Sequence, residues 1–166
     1  MTDLSTPQAA ALLLTTKLHR PTGSAPTVPR PRLLRELTAG LNQRLTLISA
    51  PAGYGKTTLV NQWLDSVDLP YAWISLDEHD SDLATFLNYL LAAVRTIYPA
   101  AGHISELLLH SPEIPVAGRL ADSVLHDLAA LAGPLILVID DYHMIQSMDV
   151  HQAVARFVQY LSLIHI

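Results

Sequence analysis

A short run of small residues that ends in lysine and threonine is the part of this sequence best suited to chemistry. Gly53 and Gly55 allow backbone angles and close approaches that a side chain would prevent, so successive N–H groups can turn toward one anion. Lys56 would place its ammonium group at the β and γ oxygens of a nucleotide, and the Thr57 hydroxyl would bind Mg²⁺. The pattern G-x-x-x-x-G-K-[ST] is met except that Ala50 replaces its first glycine. The spacing predicts a site for a di- or triphosphate.

The helix that follows this loop adds to the predicted site. A helix that begins near Lys56 contributes unpaired N–H groups and the positive end of its dipole, and Thr58 could donate to the α-phosphate. Lys56 is also assigned a catalytic role. The alternative is a glycine-rich turn followed by an ordinary helix. The predicted cofactor-binding residues of the loop are Ala52, Gly53, Tyr54, Gly55, Lys56, Thr57 and Thr58.

Two adjacent acids supply the second half of the predicted site. Five apolar residues at 135–139 precede Asp140, so the carboxyl end of a strand would deliver its carboxylate to the edge of the sheet where the phosphate loop lies. Asp140 would hold Mg²⁺ together with Thr57, directly or through water. Asp141 could orient or deprotonate an attacking water. The alternative is a plain Asp-Asp turn.

Other polar residues are weaker candidates. Asp77, Glu78 and Asp80 follow a predicted strand and could approach the nucleotide, but an exposed turn with a helix cap is the favoured interpretation. His143 lies near the proposed chemistry, where an ordinary loop histidine is favoured over a phosphate sensor. The eight histidines show no spacing typical of a zinc site.

The elements that must position these residues alternate between strand and helix. The wholly or nearly all apolar runs at 45–50, 71–76 and 135–139 predict buried parallel strands. Apolar residues at helical spacing predict helices at 33–41, 56–65, 82–98, 116–131 and 148–160, with one or two helical turns inside the loop 99–115. Trp63 and Trp73 are predicted to pack in the core. This order predicts an α/β fold, a P-loop NTPase with a parallel sheet and helices on both faces.

Composition narrows the class of protein. The 166 residues suffice for one domain, and the net charge of -5 without any basic block makes nucleic-acid binding by this chain unlikely. The absence of cysteine excludes disulfides and fits a reducing compartment. No stretch reads as a secretory signal or a membrane span, so a cytoplasmic protein with no membrane partner is expected.

Five ordered segments resemble one family of regulators. They are TKLHRP at 16–21, VPRPRLL at 28–34, APAGYGKTT at 50–58, WISLDE at 73–78 and VIDDYH at 138–143. Over about residues 15 to 160 the chain resembles the N-terminal nucleotide-binding domain of the MalT-type regulators, which are LuxR-terminated, ATP-dependent transcriptional activators of the STAND class. The loop of that family also begins with alanine, which accounts for Ala50.

The resemblance implies a signal-responsive switch. In such proteins ATP and a small inducer favour an active, self-associated state, slow ATP hydrolysis resets it, and a C-terminal helix-turn-helix binds DNA. The resemblance also implies that Val28, Pro29 and Arg30 pack against adenine and ribose, whereas a plain linker is the alternative. Competing functions are a stand-alone P-loop ATPase, a small-molecule kinase, or an interaction module that has lost its nucleotide. A kinase would need an arginine-rich lid, which the sequence does not show.

The ends of the chain carry separate predictions. Residues 1–16 are expected to form a disordered tail, 17–160 a partial P-loop NTPase domain, and 161–166 a non-native tail. The last six residues match the translation of a transposon end used as a sequencing adaptor. The resemblance implies that a later strand normally lies between the phosphate-loop strand and the Asp140 strand. Its loss would leave a gap or an exposed apolar edge, so we expect this fragment to fold marginally and to hydrolyse ATP weakly or not at all.

Overall fold

A parallel β-sheet between two groups of helices positions the residues singled out above in the computed structural model, which describes residues 13–22, 28–111, 116–161 and 164–165. The helices are α1 (Pro31–Gly40), α2 (Lys56–Leu64), α3 (Leu83–Arg95), α4 (His103–Leu109), α5 (Ala117–Ala129) and α6 (Met148–Tyr160). The strands are β1 (Tyr71–Ser75), β2 (Leu135–Asp140) and β3 (Ile164–His165). The expected tail up to residue 12, residues 162–163 and 166 of the expected tail at 161–166, and the stretches 23–27 and 112–115 lie outside the described residues.

The two longer strands form where the apolar runs predicted them. Strands β1 and β2 pair in parallel, from Tyr71 opposite Ile136 to Ser75 opposite Asp140. Ile74, Leu135 and Leu137 are at most 1% exposed. A strand that is covered on both faces reads as a continuous apolar run, and both predictions are confirmed.

Helices cover both faces of this sheet. Because successive side chains of a strand point to opposite faces, Leu135 and Leu137 pack in a larger core with α3, α5 and α6, whereas Ile136 and Trp73 pack in a smaller core. The smaller core is completed by α1 and α2 through Leu37, Leu59 and Trp63. All predicted helices are present, with ends that differ by three residues or fewer. The predicted α/β class, with a parallel sheet and helices on both faces, is confirmed.

The predicted strand at 45–50 is wrong. This segment belongs to no described strand, and Leu45 and Leu47 are 44% and 79% exposed. None of the backbone hydrogen bonds between described residues joins 45–50 to a neighbouring segment. A strand needs a partner at ladder distance to satisfy its N–H and C=O groups, and here none adjoins the segment.

A large cavity takes the place of that partner. It has a volume of about 1080 Å³ and is lined by residues 45–50 on one side and by the exposed edge of β2 on the other. Strand β3 pairs with β2 only at Leu135 and Ile136, so the rest of that edge faces the cavity. The gap expected between the phosphate-loop segment and the Asp140 strand is therefore present.

The chain before α1 also differs from the prediction. The four prolines of residues 15–32 predict extended chain, but Thr15–Leu18 form a 3-10 helix that packs near β1 and α3. A second 3-10 helix, Glu78–Ser81, follows β1 and has a reciprocal cap between Asp77 and Asp80.

Both tryptophans are buried as predicted. In the described part of the chain, no helix has the length and apolar character needed to cross a membrane.

Candidate functional site

The loop before α2 has the backbone that its glycines were predicted to allow. Gly53 and Gly55 have φ angles of 80° and 74°, which L side chains rarely adopt. A Cβ at Gly53 would meet no atom within 4 Å, so the positive φ angle, and not a lack of space, requires glycine there. Gly55 is the N-cap of α2, and Lys56 is the first residue of that helix.

Free main-chain donors gather at this point. The first described backbone bond of the helix is donated by the Leu59 N–H to the Gly55 carbonyl at 2.9 Å. The N–H groups of Gly55, Lys56, Thr57 and Thr58 therefore have no main-chain acceptor among the residues described, as is usual in a first helical turn. Together with the helix dipole, these donors form a site suited to an anion.

Lys56 lies against the loop that it was predicted to serve. Its ammonium group donates to the carbonyl oxygens of Ala50 at 2.9 Å and Pro51 at 3.3 Å. Both acceptors are neutral, and none of the ion pairs between described residues includes Lys56. An uncompensated positive charge therefore sits beside the free N–H groups.

Thr57 and Asp140 meet across the cleft, as the two halves of the predicted metal site should. The Thr57 hydroxyl donates to Asp140 Oδ2 at 2.9 Å, although the residues are 83 positions apart. The other oxygen, Oδ1, accepts the Asp141 N–H at 3.1 Å. A hydroxyl and a carboxylate are oxygen ligands of the kind that Mg²⁺ prefers. Among the described residues there is no group of three or more His, Cys, Asp or Glu side chains that could hold a metal ion.

Asp141 has an unusual backbone. Its φ angle is 57°, and among the described residues it is the only non-glycine residue with positive φ. Its side chain is 52% exposed and lies 3.9 Å from His143 Nδ1. Asp141 and His143 both line the large cavity, so they adjoin the Thr57–Asp140 pair. The catalytic role of Asp141 stays a prediction.

The segment before α1 is brought to the phosphate loop by one contact. Arg30 Nη1 donates to the Tyr54 carbonyl at 2.9 Å. Val28 is 79% exposed, and Pro29 is also exposed. The predicted packing of these residues against adenine and ribose stays a prediction.

The acids of the turn after β1 are absent from the lining of the large cavity, and the turn is not fully exposed. Asp80 is only 1% exposed. Lys17 Nζ lies 2.7 Å from the Oδ2 atom of Asp80 and 2.7 Å from the Oδ2 atom of Asp77. The hydrogen bond from Lys17 lowers the pKa of Asp77. Burial lowers the pKa of Lys17, but its hydrogen bonds to Asp77 and Asp80 outweigh this and raise it. The favoured interpretation as an exposed turn is wrong for Asp80, and no local signal pointed to Lys17.

The fold and this site define a class, an α/β protein whose glycine-rich loop, helix N-terminus and strand-end carboxylate converge at one edge of a parallel sheet. Sequence comparison adds the family. The HTH-type transcriptional regulator MalT of Yersinia pestis (strain Pestoides F) is 41% identical over 152 residues, and that of Cronobacter sakazakii (strain ATCC BAA-894) is 40% identical over 151. Each match covers 90% of this chain.

The chain is a MalT-type sequence, as its five motifs indicated, and it spans 16% of the length of the curated relatives it matches. No protein-family model matches it.

Proposed function

We propose that this chain is the Mg-ATP-binding switch region of a signal-responsive transcriptional activator, built as a partial P-loop NTPase. The observation that carries the proposal is the hydrogen bond of 2.9 Å between Thr57 and Asp140, which joins the N-terminus of α2, at the end of the phosphate loop, to the strand-end acid. The sequence relation to HTH-type transcriptional regulators supports the regulatory part.

Each residue has a distinct task in this proposal. The N–H groups from Gly55 to Thr58 bind phosphate oxygens, and the Lys56 ammonium leaves the Ala50 and Pro51 carbonyls for the β and γ oxygens. Thr57 and Asp140 hold Mg²⁺, which neutralises the charge on the phosphates when it is bound. Asp141 orients the attacking water. Hydrolysis is slow and takes place in the full-length protein.

The switch acts through the rest of the regulator. ATP is the partner of this chain, whereas the inducer, DNA and self-association belong to parts of the full-length protein beyond it. Such a protein works in the cytoplasm. A stand-alone P-loop ATPase or small-molecule kinase would instead turn over nucleotide without those parts, and the experiment below separates these functions.

The test is a titration with a fluorescent ATP analogue in the presence of Mg²⁺. Lys56→Ala removes the ammonium group and should weaken binding at least about tenfold, since a hydrogen bond to a charged group is worth that much or more. Arg35→Ala is the matched control, because Arg35 is an exposed cation on α1 and its loss changes the net charge equally. We expect Arg35→Ala to bind as the parent chain does.

The outcomes decide between the functions. Equal, weak binding by the parent chain and Lys56→Ala would refute a nucleotide site. Phosphate release at many turnovers by this chain alone would favour the stand-alone enzyme. Tight binding with little release supports the switch.

A further inference from the structure

The contact between Arg30 and Tyr54 joins two segments that are 24 positions apart in the sequence. Arg30 Nη1 donates to the Tyr54 carbonyl at 2.9 Å. Its Nη2 lies 3.5 Å from the point that a Cβ on Gly55 would occupy, so the guanidinium also lies beside Gly55. The contact falls between the two loop glycines that have positive φ, where the chain has least conformational restraint of its own.

The backbone of Arg30 is held in place by α1. Arg30 is the N-cap of that helix, and Pro31 fixes its first turn. Helix α1 packs against α2 through Leu37, Leu59 and Trp63, so the base of the Arg30 side chain is fixed relative to the phosphate loop. None of the ion pairs between described residues draws the guanidinium toward a carboxylate.

The geometry of the peptide unit gives this contact a consequence. The Tyr54 carbonyl and the Gly55 N–H belong to one planar trans peptide, so they point in opposite directions. Because Arg30 holds the carbonyl on one side, the Gly55 N–H is turned to the other side. That N–H has no acceptor among the described residues.

We propose that Arg30 is a positioning residue for polyphosphate, which acts through the Tyr54 carbonyl to aim the Gly55 N–H at the bound anion. The proposal rests on the proposed function, because it assigns a role at the same site. It differs from a contact with adenine or ribose, because a loop-positioning residue matters to a polyphosphate that carries no nucleoside.

The probe that separates these roles is inorganic tripolyphosphate, compared with ATP by calorimetric titration in Mg²⁺. Arg30→Gln should lower the affinity for both ligands about tenfold, which is the contribution of one well-aimed N–H hydrogen bond to a charged oxygen. Arg30→Lys should recover part of this loss, because an ammonium group can still donate to the carbonyl. Arg35→Gln is the matched control for charge and should bind both ligands as the parent chain does.

A second measurement follows the peptide itself without any ligand. We expect the ¹H–¹⁵N resonance of Gly55 to shift in Arg30→Gln and to stay in place in Arg35→Gln, while the thermal midpoint of both variants stays near that of the parent chain. This measurement keeps the proposal testable if Arg30→Gln binds too weakly to titrate.

Three results would overturn the proposal. Loss of affinity for ATP but not for tripolyphosphate would assign Arg30 to the nucleoside. Equal affinities of Arg30→Gln and Arg35→Gln would leave Arg30 without a role, and so would an unmoved Gly55 resonance. A parent chain that binds neither ligand would instead refute the proposed function, so the two failures are distinguishable.

Discussion

Asp140 and Asp141 are neighbours in sequence, yet the structure gives them different surroundings. The Asp140 carboxylate accepts the Thr57 hydroxyl at 2.9 Å, whereas Asp141 has positive φ and a half-exposed side chain. Thr57 and Asp140 can each offer an oxygen to one hard cation, and Asp141 has no described contact with Thr57. The two acids should therefore respond differently to the removal of charge.

Asp140→Asn should abolish the gain in ATP affinity that Mg²⁺ gives, because an amide is a weaker ligand and loses the charge that the cation requires. Asp141→Asn removes the same charge one residue away, and it should retain the gain in ATP affinity that Mg²⁺ gives. The measurement is the ATP dissociation constant with Mg²⁺ and with a chelator. We expect Mg²⁺ to improve affinity at least about tenfold in the parent chain and in Asp141→Asn.

The reverse pattern would move the metal site to Asp141. An undiminished effect of Mg²⁺ in Asp140→Asn would mean that the hydrogen bond between Thr57 and Asp140 is structural and does not mark a metal site.

At the level of elements, the strand predictions are confirmed only where a neighbouring strand lies beside the segment. The run at 135–139 is wholly apolar and the run at 45–50 is mostly so, but β2 pairs with β1 while 45–50 pairs with nothing described. An apolar run indicates that a segment can be buried, whereas its pairing as a β-strand depends on which other segment lies beside it. The phosphate-loop residues and Asp140 were found because their spacing carries the chemistry. Lys17 and the contact of Arg30 with Tyr54 depend on tertiary structure and left no local pattern.

The 3-10 helix Thr15–Leu18 is tied to the sheet by one lysine. Lys17 bridges Asp77 and Asp80, and its ammonium group lies 5.0 Å from the centre of the Tyr89 ring. The Tyr89 hydroxyl accepts the Leu14 N–H at 3.1 Å. Because the Asp80 side chain is only 2% exposed, Lys17 is the partner that makes burial of that charge tolerable.

Lys17→Met should lower the free energy of unfolding by about 3 kcal/mol at pH 7, because the buried Asp80 carboxylate loses its partner. The loss should depend on pH at both ends. Asp77 has a lowered pKa, so its stabilising effect is present above its ordinary value of 3.8 and disappears as pH falls through the lowered value. Lys17 has a raised pKa, so its effect is present below 10.5 and disappears as pH rises through the raised value.

Denaturant unfolding between these two limits measures the difference. We expect the parent chain and Lys17→Met to differ most in the middle of this range and to converge at both ends. Arg32→Met is the control, because Arg32 forms an exposed pair with Glu36 one helical turn away, and it should cost less than about 0.5 kcal/mol. A constant difference across pH would show that Lys17 stabilises by packing alone.

For the molecule as a whole, the cavity of about 1080 Å³ beside β2 leaves much of one edge of the sheet uncovered. An open edge of β2 with apolar residues on the facing segment is a surface on which the chain can self-associate. The expected marginal stability of this chain follows from the same surface.

Leu47→Asp tests whether this surface is open in solution. Leu47 is 79% exposed on the far wall of the cavity, so the substitution should change the free energy of unfolding by less than about 0.5 kcal/mol and should reduce self-association and binding of an apolar dye. Leu137→Asp is the control, since Leu137 is 1% exposed and an aspartate there should cost more than about 3 kcal/mol. Denaturant unfolding and sedimentation equilibrium measure both effects. If Leu47→Asp were as costly as Leu137→Asp, residues 45–50 would form a buried strand in solution, as the sequence predicted.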